Sequence, residues 1–291
     1  MDLRRLAVIL LFALAASRAS GAPDYYAAES VLLFADHLYR LGEHSRAAAE
    51  YERYLFLASL EAPQEASIRF RIAESLRCAG QFDRSLAIFH DLLAQEAPGA
   101  AREAVVYGIA FDYLLMERYQ QSLEALASFP PERLGQYRPA YCLLEGMDLM
   151  FLGRWRQAHG VLAGCPAAGA EGLKAIAARA LSVRPKSPAL AGVLSGLLPG
   201  SGKIYAGESG DGVQAFFLIG LLAALSAFGF HSEGPDSVRG WIYLSLGGLF
   251  YAGNIYGSVT AASRYNKRMK ETLLDELKRH IPPCGEPARF P

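Results

Sequence analysis

Arg40-Leu41-Gly42-Glu43-His44, Cys78-Ala79-Gly80-Gln81-Phe82, Met116-Glu117-Arg118-Tyr119 and Leu152-Gly153-Arg154-Trp155 align as four versions of one turn. Gly42, Gly80, Glu117 and Gly153 fall 38, 37 and 36 residues apart. Seven residues before each stands a small residue: Ala35, Ala73, Ala110 and Gly146. Five residues after each stands another (Ala47, Ser85, Ser122, Ala158), and four further on a bulky apolar one (Tyr51, Phe89, Leu126, Leu162). Helix axes approach to roughly 8–10 Å only where the side chains at the crossing are small. A glycine between two helices supplies the left-handed backbone that a tight helix end requires. The period therefore encodes a helical hairpin with a close crossing, repeated along the chain.

Over about 28–165 this pattern resembles the tetratricopeptide repeat, in which small residues mark the same two crossing positions. Glu117 departs from the turn glycine, and Glu145 stands where a bulky apolar residue is expected. The resemblance implies an all-α fold: a tetratricopeptide-like helical-hairpin solenoid, with a concave face built from the first helix of each repeat. Carried onto this chain, that face is Asp36, Tyr39 and Arg40, then Phe70, Glu74 and Arg77, then Tyr107 and Phe111. The implied use of such a groove is to hold a protein partner or an extended peptide. It lacks the Lys/Arg cluster that would clamp a terminal carboxylate.

Domain organisation follows from composition. Residues 1–22 read as a signal peptide: Arg4 and Arg5, an apolar run from Leu6 to Ala16, then small residues around Ala19 to Ala22. The run is short of the roughly 20 residues a bilayer crossing needs, which favours cleavage over anchoring and places the rest of the chain outside the cytoplasm. The repeat domain occupies 23–168, with about four hairpins, and 169–186 forms a helical cap and linker. After Arg184-Pro185-Lys186-Ser187-Pro188 the charges thin out and three apolar stretches follow, at 189–198, 213–230 and 241–262. The last two are long enough to span a bilayer, whereas the first fits a re-entrant half-helix or a third crossing. Residues 187–262 thus form a small α-helical membrane domain, followed by a basic tail at 263–291.

Glycines recur at four-residue steps in this domain, at Gly192, Gly196 and Gly200 and again at Gly253 and Gly257. Membrane helices associate through small faces, so these five are expected to pack helices, within the chain or in a homo-oligomer. Asn254 is expected to hydrogen-bond between helices. The run Leu198-Pro199-Gly200-Ser201-Gly202-Lys203-Ile204-Tyr205-Ala206-Gly207 resembles the signature of small bacterial membrane domains of the TM2-like type. That resemblance implies a compact hairpin of membrane helices. Arg264, Lys267, Arg268, Lys270, Lys278 and Arg279 favour a cytoplasmic tail by the positive-inside tendency.

Catalytic signatures are missing from the sequence. The six histidines are scattered, Ile204 stands where a phosphate-binding loop requires Ser or Thr, and the 29 basic and 29 acidic residues balance, against a nucleic-acid binder. No cofactor and no metal site is expected. The four cysteines lack metal-ligand spacing. The repeat register puts Cys142 near the start of one helix and Cys165 near the end of its antiparallel mate, which nominates a disulfide or two buried thiols. The expectation is a non-enzymatic scaffold of the bacterial envelope in the inner membrane, its repeats on the periplasmic side, its partners a protein on the groove and the lipid bilayer. Assistance to membrane-protein insertion and a small transporter subunit stand as alternatives.

Overall fold

A computed structural model describes residues 27–95, 102–130 and 133–284. The expected signal peptide lies outside them. Among the described residues, 81% of the chain is helical and strands are absent, and the chain divides into two compact units. Of the described residues, those up to Lys174 together with 281–284 form the first, and 175–280 form the second.

The first unit is built from four successive helix pairs: α1 (Ala28–Arg40) with α2 (His44–Leu57), α3 (Ala62–Cys78) with α4 (Phe82–Ala94), α5 (Arg102–Leu115) with α6 (Tyr119–Ala127), and α7 (Arg138–Phe151) with α8 (Trp155–Ala163). Each helix packs on the next. The crossing residues behave as their size requires: Ala35, Ala47, Ala73, Ser85, Ala110, Ser122 and Ala158 are wholly buried. At Gly146 an added Cβ would stand 2.7 Å from Leu162 Cδ2, so even alanine is too large for that crossing. Tyr51, Phe89, Leu126 and Leu162 fill the space behind the crossings, all buried.

Every one of the four turns has a left-handed residue: Gly42 at φ 81°, Gly80 at 74°, Glu117 at 58° and Gly153 at 74°. Glu117 is the one non-glycine residue with positive φ among the described residues. A side chain in that region costs roughly 1–2 kcal/mol, and the third pair carries this cost to keep the turn its neighbours make freely.

The second unit contains α10 (Pro188–Leu197), α11 (Ser201–Ala206), α12 (Ser209–Glu233) and α13 (Val238–Lys278), while α9 (Ala170–Ser182) runs across the unit boundary. Helices α12 and α13 form the main antiparallel pair, and α10 and α11 pack on α13. Ala191, Ala206, Ala261 and Ala262 form the buried seam. The closest approaches are backbone on backbone. A Cβ at Gly200 would stand 1.9 Å from the Gly212 carbonyl oxygen, and one at Gly202 1.9 Å from that of Ala191.

Of the five glycines expected to pack helices, Gly192 meets Val259 closely and Gly257 meets Lys203, and Gly200 does so against Gly212. Gly196 makes ordinary contact with Ile255, and Gly253 faces open space. Gly202 and Gly212, outside the four-residue steps, pack more tightly than either. Polar ties complete the unit. The hydroxyls of Ser195 and Ser258 lie 2.6 Å apart, Lys186 and Asn266 exchange two hydrogen bonds of 2.8 Å, and Arg264 donates twice to Glu208 at 3.0 and 3.1 Å.

Three expectations for the membrane domain gain detail here. Among the described residues only α12 is both long and apolar enough to cross a bilayer. Helix α10, with 10 residues, rises about 15 Å, half the hydrocarbon thickness, which removes it as a full crossing. The apolar stretch at 241–262 and the basic segment after it are one continuous helix of 41 residues, so the tail is helical as far as Lys278.

Replacing Glu117 by glycine relieves the left-handed strain, and we expect it to raise unfolding stability by about 1 kcal/mol, read as an upward shift of the denaturant midpoint at unchanged slope.

Candidate docking groove

The first two helix pairs enclose a cavity of about 400 Å³ lined by Leu33, Asp36, Tyr39, Arg40, Tyr51, Arg71 and Glu74. The Asp36 carboxylate organises its wall. It accepts from the Tyr51 hydroxyl at 2.5 Å and from Arg71 Nη1 at 2.7 Å, which ties α1 to α2 and α3. Arg40 Nε donates to the Asp36 carbonyl at 3.2 Å. Burial, then the charge of Glu74, pushes the Tyr39 hydroxyl up to about 12, so it stays a neutral donor at any physiological pH. Glu74 is half-buried, and among the described residues it makes no hydrogen bond and no ion pair. Burial raises its pKa against the pull of Arg77 and Arg71.

The eight groove residues expected from the sequence do not share one surface. Asp36, Tyr39, Arg40 and Glu74 line the cavity together. Phe70 lies edge-on against Phe89, with ring centroids 5.4 Å apart. Tyr107 stacks on Phe111 at 5.9 Å and is half-buried, and Phe111 itself is buried. Arg77 also lies in the interior, 7% exposed, where its Nε donates to Asp112 Oδ1 at 2.6 Å and Nη2 to the Gly108 carbonyl at 3.2 Å. Its guanidinium sits between the rings of Phe89 and Phe111, at 5.1 and 5.3 Å. The Ser85 hydroxyl stands 2.7 Å from Asp112 Oδ2 and 2.9 Å from the Ala73 carbonyl, donating to one at a time. Arg77 and Phe111 therefore hold the second helix pair to the third. They leave the groove because Asp112, wholly buried, draws the guanidinium inward to satisfy its charge.

Sequence reasoning passed over Asp112 and its counterpart one repeat later, Asp148. Asp148 occupies the same register, facing Ser122 as Asp112 faces Ser85, but Leu114 stands where the earlier repeat has Arg77. Asp148 is wholly buried, the Ser122 hydroxyl facing it falls short of hydrogen-bond geometry, and burial pushes its carboxyl up to about 7 against the pull of that hydroxyl. The legible signal was an aspartate on a helix face whose neighbours, Leu144, Met147 and Met150, are all core residues.

Both pairs of cysteines are bonded. Cys142 is joined to Cys165, as the register nominates, with Cα atoms 5.9 Å apart. Cys78 is joined to Cys284, 206 residues away, with Cα atoms 5.2 Å apart, and both belong to the first unit. Neither a family model, a curated protein nor a solved structure matches this chain. Its own geometry therefore carries the functional assignment.

Asp148 sets a pH dependence. Its folded pKa, about 7, lies above the ordinary 3.8. The folded state therefore holds the proton more tightly, and stability falls as pH rises from about 4 to 7, then levels off. The Asp148→Asn variant should equal the parent near pH 4 and exceed it above pH 7, by up to about 4 kcal/mol, in thermal melts across that range.

Proposed function

We propose that this protein is a non-enzymatic, membrane-anchored scaffold of the cell envelope, with tetratricopeptide-like repeats that dock a protein partner. The observation that carries the reading is Glu74. Glu74 is half-buried and hydrogen-bonds to no described residue, and burial outweighs the pull of Arg77 and Arg71 on its carboxyl, so a bound segment that supplies a cation is favoured there. Asp36, fixed by Tyr51 and Arg71, gives the cavity a rigid wall. Leu33, 68% exposed at its rim, gives an apolar contact beside it. An extended segment carrying a lysine or arginine next to an apolar residue fits this combination.

Anchoring rests on α12 and on the apolar surface around it. Phe217, Phe228 and Leu249 are each about 70% exposed, a covering that suits lipid rather than water. Sidedness rests on the disulfides, which form and persist in oxidising compartments. A bond between Cys78 and Cys284 requires both on one side of the membrane, so the chain between them crosses an even number of times. Helix α12 then makes one crossing, and the stretch of α13 at 241–262, less apolar than α12 but free of charged residues, makes the other, with α10 and α11 inserted part-way. This reading replaces the cytoplasmic tail favoured by charge count. A covalent bond constrains the chain more strictly than a charge bias, and three of the tail cations are already matched, Arg264 and Arg268 by Glu208 and Lys267 by Glu271.

A photo-crosslinking residue at Leu33 in the full chain, activated in native membranes, should give a discrete adduct that is lost in Glu74→Gln. The same residue at Phe56, which is 89% exposed on α2 and outside the cavity, should give none. Equal adducts at both positions, or one indifferent to Glu74, would contradict docking in this groove.

A further inference from the structure

The second unit has an open cavity of about 370 Å³ between α11, α12 and α13. Four polar side chains line it: Lys203, Asp211, Gln214 and Asn254. Asn254 is 4% exposed, and neither its amide nitrogen nor its amide oxygen has a hydrogen-bond partner. The expected helix-to-helix bond is thus not made. Burying an amide without partners costs roughly 1–3 kcal/mol, which an occupant able to hydrogen-bond would offset. Lys203 and Asp211 line the same cavity, yet no ion pair joins them and neither pairs with another described residue. The lysine chain lies along the face of α13, where a Cβ on Gly257 would stand 3.2 Å from Cε and 3.7 Å from Nζ.

Polarity is graded along the cavity. On α12 the lining changes from Asp211 and Gln214 to Leu218 in one direction. On the antiparallel α13 it changes from Asn254 to Phe250 in the same direction. One end is therefore charged and hydrogen-bonding, and the other is apolar. Asp211 belongs to the first turn of the helix that is apolar enough to cross a bilayer, so the polar end sits where lipid headgroups meet hydrocarbon.

The geometry points to a binding site for one phospholipid with a zwitterionic, primary-amine headgroup, an inference that rests on α12 lying in a bilayer. The headgroup phosphate is held by the Lys203 ammonium. Its own ammonium donates to Asp211. The amides of Gln214 and Asn254 bond the phosphate and ester oxygens, and the first methylenes of the acyl chains cover Leu218 and Phe250. A cation and an anion left apart in one cavity match a ligand carrying both charges, while a purely anionic headgroup would leave Asp211 facing like charge. Gly253 lines the cavity and a Cβ there meets nothing within 4 Å. This glycine, expected to pack helices, instead keeps the cavity open.

The test is native mass spectrometry of the full-length protein in detergent, titrated with dioleoyl phosphatidylethanolamine, dioleoyl phosphatidylglycerol and soluble phosphoethanolamine. The ethanolamine lipid should bind at one site, about tenfold more tightly than the glycerol lipid, a difference of one charge-assisted contact. Lys203→Met and Asp211→Asn should each abolish that preference. Gly253→Leu, whose Cβ enters open space, should abolish binding while leaving the melting temperature near that of the parent. Equal binding of the two lipids, a preference that survives both charge substitutions, or soluble phosphoethanolamine binding as tightly as the lipid would overturn the proposal. Resistance of the protein to alkaline carbonate extraction, measured on the same membranes, reports separately on whether it is embedded. An extractable protein would reject the membrane reading, whereas an embedded one without the preference rejects only the lipid site.

Discussion

Close approach of helices, permitted only by small residues at their crossings, is the constraint on which the first unit depends. Each of its four pairs places alanine, serine or glycine at both crossing positions, and the bulky residue behind each crossing fills the remaining volume. The same rule governs the second unit by other means. There Gly200 against Gly212, and Gly202 against Ala191, bring backbones together where a single methyl group would collide. Because the framework is fixed by what is small, polar groups are free to take unusual positions inside it: Glu74 and Asn254, which carry the functional argument, and Asp148, which bears on stability.

Asp148 and Asn254 are buried with unpartnered polar atoms, and Glu74 is half-buried without a hydrogen bond to a described residue, yet they differ in consequence. Asp148 is wholly buried among core residues, so its cost falls on folding and appears as a pH dependence. Glu74 and Asn254 line cavities, and their cost is recoverable by an occupant. Arg77 with Asp112 is the satisfied counterpart. There the cation comes from the preceding repeat, and the pair is enclosed by Phe89 and Phe111. Function in this reading lies in surfaces that fit rather than in groups that react.

Much of the fold was legible because a repeat states its rule several times. The hairpin register and the left-handed turns follow from the offsets around Gly42, Gly80, Glu117 and Gly153, and the same register brings Cys142 near Cys165 without deciding between a bond and two thiols. The groove was half legible. Register assigns Arg77 and Phe111 to the same helix faces as Tyr39 and Asp36, but depth depends on the neighbouring helix, and Asp112 pulls Arg77 inward. Cys78–Cys284 was illegible, since a contact across 206 residues leaves no periodic trace. Glycine steps of four did not show that Gly253 faces open space within the chain, because spacing marks a helix face and not what lies against it.

The account joins these parts through one covalent bond. If Cys284 is tied to Cys78, the tail and the repeats share a compartment and the membrane segment between them is a hairpin. The most direct measurement is labelling of Cys284 in a Cys78→Ser variant with a membrane-impermeant maleimide, in intact spheroplasts and after permeabilisation. The account predicts full labelling before permeabilisation, with no gain after it. Labelling that appears only once the membrane is opened would place the tail in the cytoplasm and contradict the account.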